Sequence, residues 1–97
     1  MSKPATVLGM SCSGHDCWPP RPNNEASSDV FINGKGAHRQ GDGYDEHCCP
    51  DNGCHGGSLA QGSSTVFING KQAARIGDPV SCGSVVAEGS PNVFIGD

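Results

Sequence analysis

The sequence predicts an all-β fold built from three short β-units that close around a pseudo-threefold axis. Three observations predict it. The octet Ser28-Asp29-Val30-Phe31-Ile32-Asn33-Gly34-Lys35 recurs as Ser64-Thr65-Val66-Phe67-Ile68-Asn69-Gly70-Lys71, and Gly89-Ser90-Pro91-Asn92-Val93-Phe94-Ile95-Gly96-Asp97 gives a third, truncated copy. Such self-similarity marks a repeat architecture. No segment carries apolar residues at helical spacing over even two turns. Finally, only 34% of the 97 residues are hydrophobic, while 15 glycines and 7 prolines interrupt any long regular element.

Each unit reads as a β-hairpin. Val-Phe-Ile is β-branched and aromatic, as strands prefer, and Asn-Gly follows at once, the pair favoured in a two-residue type I′ turn. The chain then returns through Lys-Gln-Ala-Ala-Arg-Ile to a second turn at Gly77-Asp78, matched in the first copy by Ala37-His38-Arg39-Gln40-Gly41-Asp42. Val7-Leu8-Gly9 reads as a degenerate version of the Arg-Ile-Gly element. A third short strand is expected at Ser58-Leu59-Ala60-Gln61 and at Val85-Val86-Ala87-Glu88. Between copies lie irregular loops, residues 12–26 with the stiff Trp18-Pro19-Pro20-Arg21-Pro22, residues 44–57, and the short 79–84. All three occupy the same place in the repeat, so folding is expected to gather them at one end.

A chain of this length forms one domain, 1–97, with no extension domain expected. Its core is lean against a backbone-entropy cost of roughly 100 kcal/mol or more, so a disulfide, a metal or a partner must contribute. The formal net charge of −4 argues against nucleic acid, whose backbone recruits clustered Lys and Arg. The first ten residues hold no apolar run of signal-peptide length, so synthesis in the cytoplasm without a signal peptide is expected. A reducing compartment favours cysteines as metal ligands over a disulfide framework, although six cysteines also permit pairing.

The loops read Cys12-Ser13-Gly14-His15-Asp16-Cys17, His47-Cys48-Cys49, Cys54-His55-Gly56-Gly57 and Ser81-Cys82-Gly83. A closed structural metal site takes four thiolate or imidazole ligands in a tetrahedron. The preferred set is His15, His47, His55 and Cys82, one ligand from the first loop, two from the second and one from the third. It would tie all three repeats at one point. Cys12, Cys17, Cys48, Cys49 and Cys54 remain open as ligands, small buried residues, or two disulfides plus a free thiol. His38 stands where the second copy has Ala74 and reads as a surface or packing residue, though it is also a candidate substitute for His47 or His55. Arg39 and Arg75 read as salt-bridge partners of Asp42 and Asp78.

These residues resemble the PAAR-repeat family, proteins that cap the central spike of type VI secretion systems and contractile phage tails. The likeness runs from about Val7 to Asp97 and rests on the Val-Phe-Ile-Asn-Gly-Lys units, Ala74-Arg75-Ile76-Gly77-Asp78, Ser81-Cys82-Gly83-Ser84 and the closing Gly89-Ser90-Pro91-Asn92-Val93-Phe94. The eponymous motif stands as Gln72-Ala73-Ala74-Arg75, and the first copy departs further as Gly36-Ala37-His38-Arg39. The resemblance implies a sharp cone with one zinc near the apex, held by three histidines and one cysteine, which returns the same four residues. It also implies a base that docks, one monomer per trimer, on a trimeric β-helical spike of VgrG or phage-baseplate type.

The expected function is therefore structural: capping and sharpening the spike for membrane piercing, with transient contact with the target membrane, at the tip of an injected spike or a virion tail. An effector-adaptor role through residues 18–26 is compatible. Two other classes are weighed against it. A zinc hydrolase would need an open coordination position and a general base, for which Glu46 is the one tempting acid. A disulfide-stapled small binding domain would not require a threefold repeat.

Overall fold

The structure is a computed structural model and describes residues 2–96. It is all-β, with no helix among the described residues. Two hairpins form where the repeated octets predict them. Strand β2 (Phe31–Ile32) pairs with β3 (Lys35–Gly36), and β6 (Phe67–Ile68) pairs with β7 (Lys71–Gln72). Both turns are left-handed at both central residues, with φ of 54° and 80° at Asn33 and Gly34 and 54° and 78° at Asn69 and Gly70. Asn tolerates that region and Gly occupies it freely, which is why Asn-Gly selects the turn.

The third hairpin is split between the two ends of the sequence. Strand β8 (Phe94–Ile95) pairs antiparallel with β1 (Lys3–Pro4). Lys3 opposes Ile95 as Lys35 opposes Ile32 and Lys71 opposes Ile68. The missing half of the truncated copy is therefore Lys3-Pro4-Ala5-Thr6-Val7-Leu8-Gly9-Met10, in register with the segments that start at Lys35 and Lys71. The turn at Val7–Met10 repeats those at Arg39–Asp42 and Arg75–Asp78, with Gly9, Gly41 and Gly77 at φ of 90°, 90° and 87°.

The three units meet in a closed ring of backbone hydrogen bonds. The Thr6 amide donates to Ala74 O at 3.1 Å, the Ala74 amide to His38 O at 3.0 Å, and the His38 amide to Thr6 O at 3.0 Å. One residue back, Ala5, Ala37 and Ala73 are wholly buried and pack with Ile68 and Ile95. A second cluster holds Cys12, Tyr44, Leu59, Ala74, Val80 and Val86. The molecule measures 39 × 26 × 23 Å, one long axis and two similar short ones, as a pseudo-threefold cone requires.

Side chains repeat the symmetry. Buried Ser27, Ser63 and Ser90 each accept two amides, those of Asp29 and Val30, of Thr65 and Val66, and of Asn92 and Val93. Each serine also bonds another unit just after its Phe-Ile strand: Ser27 to Asn69, Ser63 to Gly96 O, and Ser90 to Asn33. Arg39 and Arg75 grip Asp42 and Asp78 through two guanidinium nitrogens each, as the salt-bridge reading expects.

Two expectations are corrected, and a third, left open between two readings, is decided. Residues 44–57 are not irregular: β4 (Gly43–Cys49) and β5 (Gly53–Ser58) form the longest hairpin described. Its turn closes from the Asn52 amide to Cys49 O at 3.0 Å, with Asp51 and Gly53 at positive φ. Beyond Ser58, which ends β5, the expected third strands are isolated bridges at Leu59–Val80, Pro79–Val85 and Cys12–Val86, because each such segment meets its neighbours too briefly for a ladder. His38 takes the packing alternative of its reading, not the surface one, and lies outside the metal-capable group. It is fully buried against Tyr44 with ring centroids 5.1 Å apart, and donates from Nδ1 to Glu25 O at 2.8 Å. Burial holds its pKa below the ordinary histidine value, so the imidazole stays neutral.

The serine triad generates a prediction. Replacing Ser63→Ala strips two amides and Gly96 O of their partner, so stability should fall by about 1–2 kcal/mol, roughly 4–8 °C of melting temperature per kcal/mol for a domain this small. Ser64→Ala, at an exposed neighbour, should stay within about 0.5 kcal/mol of wild type. Thermal unfolding followed by circular dichroism separates the two.

Candidate metal centre

Three loops leave the ring at equivalent points, after Met10, Asp42 and Asp78. Each returns to bond the residue it left, through Asn23, Leu59 and Val86, whose amides donate at 2.9 Å to Met10 O, Asp42 O and Asp78 O. The loops also bond one another in a cycle: Asn24 N to Gly43 O, Ala60 N to Pro79 O, and Ala87 N to Ser11 O. Convergence of the loops at one end is thus a consequence of the repeat.

Each loop presents its ligand candidates differently. His15 opens a tight turn, exchanging backbone hydrogen bonds with Trp18 at 3.0 and 2.8 Å. His47 and His55 are direct cross-strand partners in the β4–β5 hairpin, next to a bulge between Tyr44 and His47 that brings His47 inward. Cys82 sits in a turn closed from the Gly83 amide to Val80 O at 3.0 Å. Gly57 lets it approach, since a Cβ there would lie 3.1 Å from the Cys82 sulfur.

The ligand atoms of His15, His47, His55 and Cys82 all lie within 4.8 Å of one another. His55 Nε2 is 2.9 Å from His15 Nε2 and 2.7 Å from His47 Nε2. His47 donates from Nδ1 to Pro19 O at 2.8 Å, which leaves a lone pair on its Nε2. A single proton on His55 Nε2 cannot bridge two imidazoles at once. Converging lone pairs of this kind suit a cation at their centre. In a tetrahedral site with metal–nitrogen bonds of about 2.0–2.1 Å the nitrogens stand about 3.3 Å apart, slightly wider than here. Desolvation, then His47 and His15, holds the His55 pKa below the ordinary histidine value, which keeps it unprotonated and able to ligate. Trp18 covers the cluster, with ring centroids 5.0 Å from His15 and 4.8 Å from His55, and its indole nitrogen donates to Gly53 O at 2.9 Å.

A metal-capable cluster and disulfide pairing, weighed as alternatives in the sequence, are both present. Cys17 bonds Cys49, and Cys48 bonds Cys54. Cys12 and Cys82 are free thiols, Cys12 buried in the second core cluster and Cys82 half-buried at the site. The bonds flank the histidines closely: Cys17 is two residues from His15, Cys48 and Cys49 follow His47, and Cys54 precedes His55. The signal that sequence reasoning missed is a mirror. His47-Cys48-Cys49 and Cys54-His55 face each other across Asp51-Asn52-Gly53, so a hairpin there opposes His to His and Cys to Cys.

The sequence matches the PAAR motif over residues 13–88 and again over residues 55–97. The chain belongs to the PAAR-motif family. No curated protein matches it. The double match reflects the internal repeat and spans all four residues of the cluster. The structure gives a physical reason for the motif in this PAAR protein. In Gln72-Ala73-Ala74-Arg75 both alanines are fully buried where the three units touch, and Arg75 is held by Asp78.

Cys82→Ala removes the one cluster member from the loop at residues 79–89. The expected outcome is a metal affinity lower by at least about tenfold, since even outer partners of a metal cost 10–100-fold, with a lower melting temperature in the metal-loaded protein. Chelator competition and calorimetry read both. An unchanged affinity would show that the cluster works as three histidines alone.

Proposed function

We propose that this chain is a spike tip: it caps the blunt end of a trimeric β-helical spike, one chain per trimer, and carries one structural zinc at its point. The observation that carries the reading is a triangle of exposed phenylalanines. Phe31, Phe67 and Phe94, at the same position of the three hairpins, are 60%, 56% and 55% exposed, and Val30 and Val66 beside two of them are also exposed. A small protein that shows three equivalent aromatic rings to water is suited to an apolar partner of matching symmetry. A trimeric β-helix of VgrG or phage-baseplate type has such an end, and its open strand edges need a cover.

The donor set supports zinc: three imidazoles and one thiolate suit a closed tetrahedral site. With all four positions taken by protein, no position is left for substrate or activated water, which favours structure over hydrolysis. The surface for effectors is narrower than the loop sequence suggests, because Trp18 is engaged with the cluster. The two disulfides suit a tip that is made in the cytoplasm and acts in an oxidising compartment or outside the cell, against the target membrane.

Two measurements test this. Purified protein should carry one zinc per chain, with X-ray absorption showing three nitrogen and one sulfur neighbours. Mixed with a trimeric spike from the same source, it should elute as one chain per trimer by light scattering. Phe31→Ser with Phe67→Ser and Phe94→Ser should abolish capture while metal content stays unchanged. A three-to-three complex, or capture that survives the triple change, would count against the reading.

A further inference from the structure

Neighbouring residues on a strand project to opposite faces. His47 faces the metal cluster, and its neighbours Glu46 and Cys48 are exposed on the other side of β4. Cys54 is the direct cross-strand partner of Cys48 and is exposed too. The Glu46 carboxylate and the two sulfurs lie within 4.8 Å of one another. Glu46 and Cys48, two residues apart on β4, share that exposed face. None of Glu46, Cys48 and Cys54 supplies a ligand atom to the histidine cluster.

We propose that the β4–β5 hairpin carries a second, redox-gated metal site, formed by Glu46, Cys48 and Cys54 when the Cys48–Cys54 bond is reduced. The cation is a thiophilic divalent ion. Two thiolates and a carboxylate supply three negative charges, and soft sulfur selects zinc or cadmium over magnesium or calcium. Three ligands leave a position for water, so the ion is exchangeable, unlike one enclosed by four protein ligands. Disulfide and metal exclude each other because both use the same sulfur lone pairs. Two monothiols reduce the protein disulfide, giving two protein thiols and one small-molecule disulfide. Each protein thiol then loses its proton to solvent as it binds the ion. Re-oxidation by a small disulfide regenerates the protein bond and releases the ion, and the two small thiolates that leave take up two protons from solvent to give two monothiols. A tip made under reducing conditions would hold this second ion and shed it on reaching an oxidising compartment. Only this last step rests on the spike-tip reading.

The experiment is cadmium titration of the intact chain, followed by thiolate-to-cadmium absorbance and by native mass spectrometry. It is run on oxidised protein and on protein reduced with a phosphine. Reduced wild type should bind one more cadmium than oxidised wild type. Cys48→Ser with Cys54→Ser, both exposed and close in size, should abolish that difference. Cys17→Ser with Cys49→Ser should keep it. Glu46→Gln should weaken the extra ion roughly tenfold or more, as loss of even an outer partner does. Equal stoichiometry in the two redox states would overturn the proposal, and so would an extra ion that survives loss of Cys48 and Cys54. Failure of the histidine cluster reads differently: oxidised protein would then bind no cadmium, while the difference between the states would still report the second site.

Discussion

Everything in this molecule hangs on three backbone hydrogen bonds that close on themselves between Thr6, His38 and Ala74. A cycle of this kind requires each strand to bring its main chain within bonding distance of the other two. No large side chain fits between them. Ala5, Ala37 and Ala73, one step away, are accordingly all alanine and all fully buried. The ring makes one chain behave as three subunits, and it fixes where the chain goes next. Hairpins precede it in each unit, loops follow it, and the loops bond one another in the same cyclic order. The metal-capable cluster is a downstream result of that closure.

The ring by itself leaves the loops poorly supported. The apolar clusters are small and built largely from Ala, Val and Ile, so residues 11–26 and 43–62 have little to bury against. Covalent links take over there. The Cys17–Cys49 bond ties the first loop to the second, and the Cys48–Cys54 bond ties the two strands of the second hairpin. Closing loops in the unfolded chain is the main way such bonds stabilise. They hold the chain beside His15, His47 and His55, so in the oxidised protein three of the four ligands are partly placed before any metal binds. Cys82 has no such support. Its loop joins the others through backbone bonds at Ala60–Pro79 and Ser58–Ser81, and coordination would add the single strong link from the third repeat.

How much of this could be read from sequence depends on which features repeat. The Asn-Gly turns, the strand residues around Phe31 and Phe67, and the Arg–Asp pairs recur, so each copy corroborates the other. The return strand of the third unit escaped because Lys3-Pro4-Ala5-Thr6 shares only Lys and Ala with the copy at Lys71. Its equivalence appears through pairing with Phe94 and Ile95. Thr6, His38 and Ala74 differ in chemistry because the ring uses their main chain and leaves the side chain free to vary. The β4–β5 hairpin occurs once and is made mostly of Gly, Cys, His and acidic residues instead of an apolar face, so strand propensity is silent. Its register is set by Asp51-Asn52-Gly53 and by the Cys48–Cys54 pair. Four residues of the site were legible nonetheless, because convergence of the loops follows from the repeat alone.

One asymmetry follows from geometry. The hairpin end keeps three near-identical phenylalanines, as a threefold partner would require. The loop end cannot do the same. Three repeats that each give one ligand supply three, and a closed tetrahedron needs four. Either an outside ligand sits on the axis or one loop must give two. Here the second loop gives two, His47 and His55, at Cα positions directly opposed across a hairpin. Two ligands facing one centre from adjacent strands demand a regular ladder, and a ladder demands length, which is why this insertion is the longest of the three. The first loop meets its single obligation with a tight turn at His15, and the third with a short turn at Cys82. The unequal insertions are thus what a cluster of four metal-capable side chains requires of a threefold scaffold.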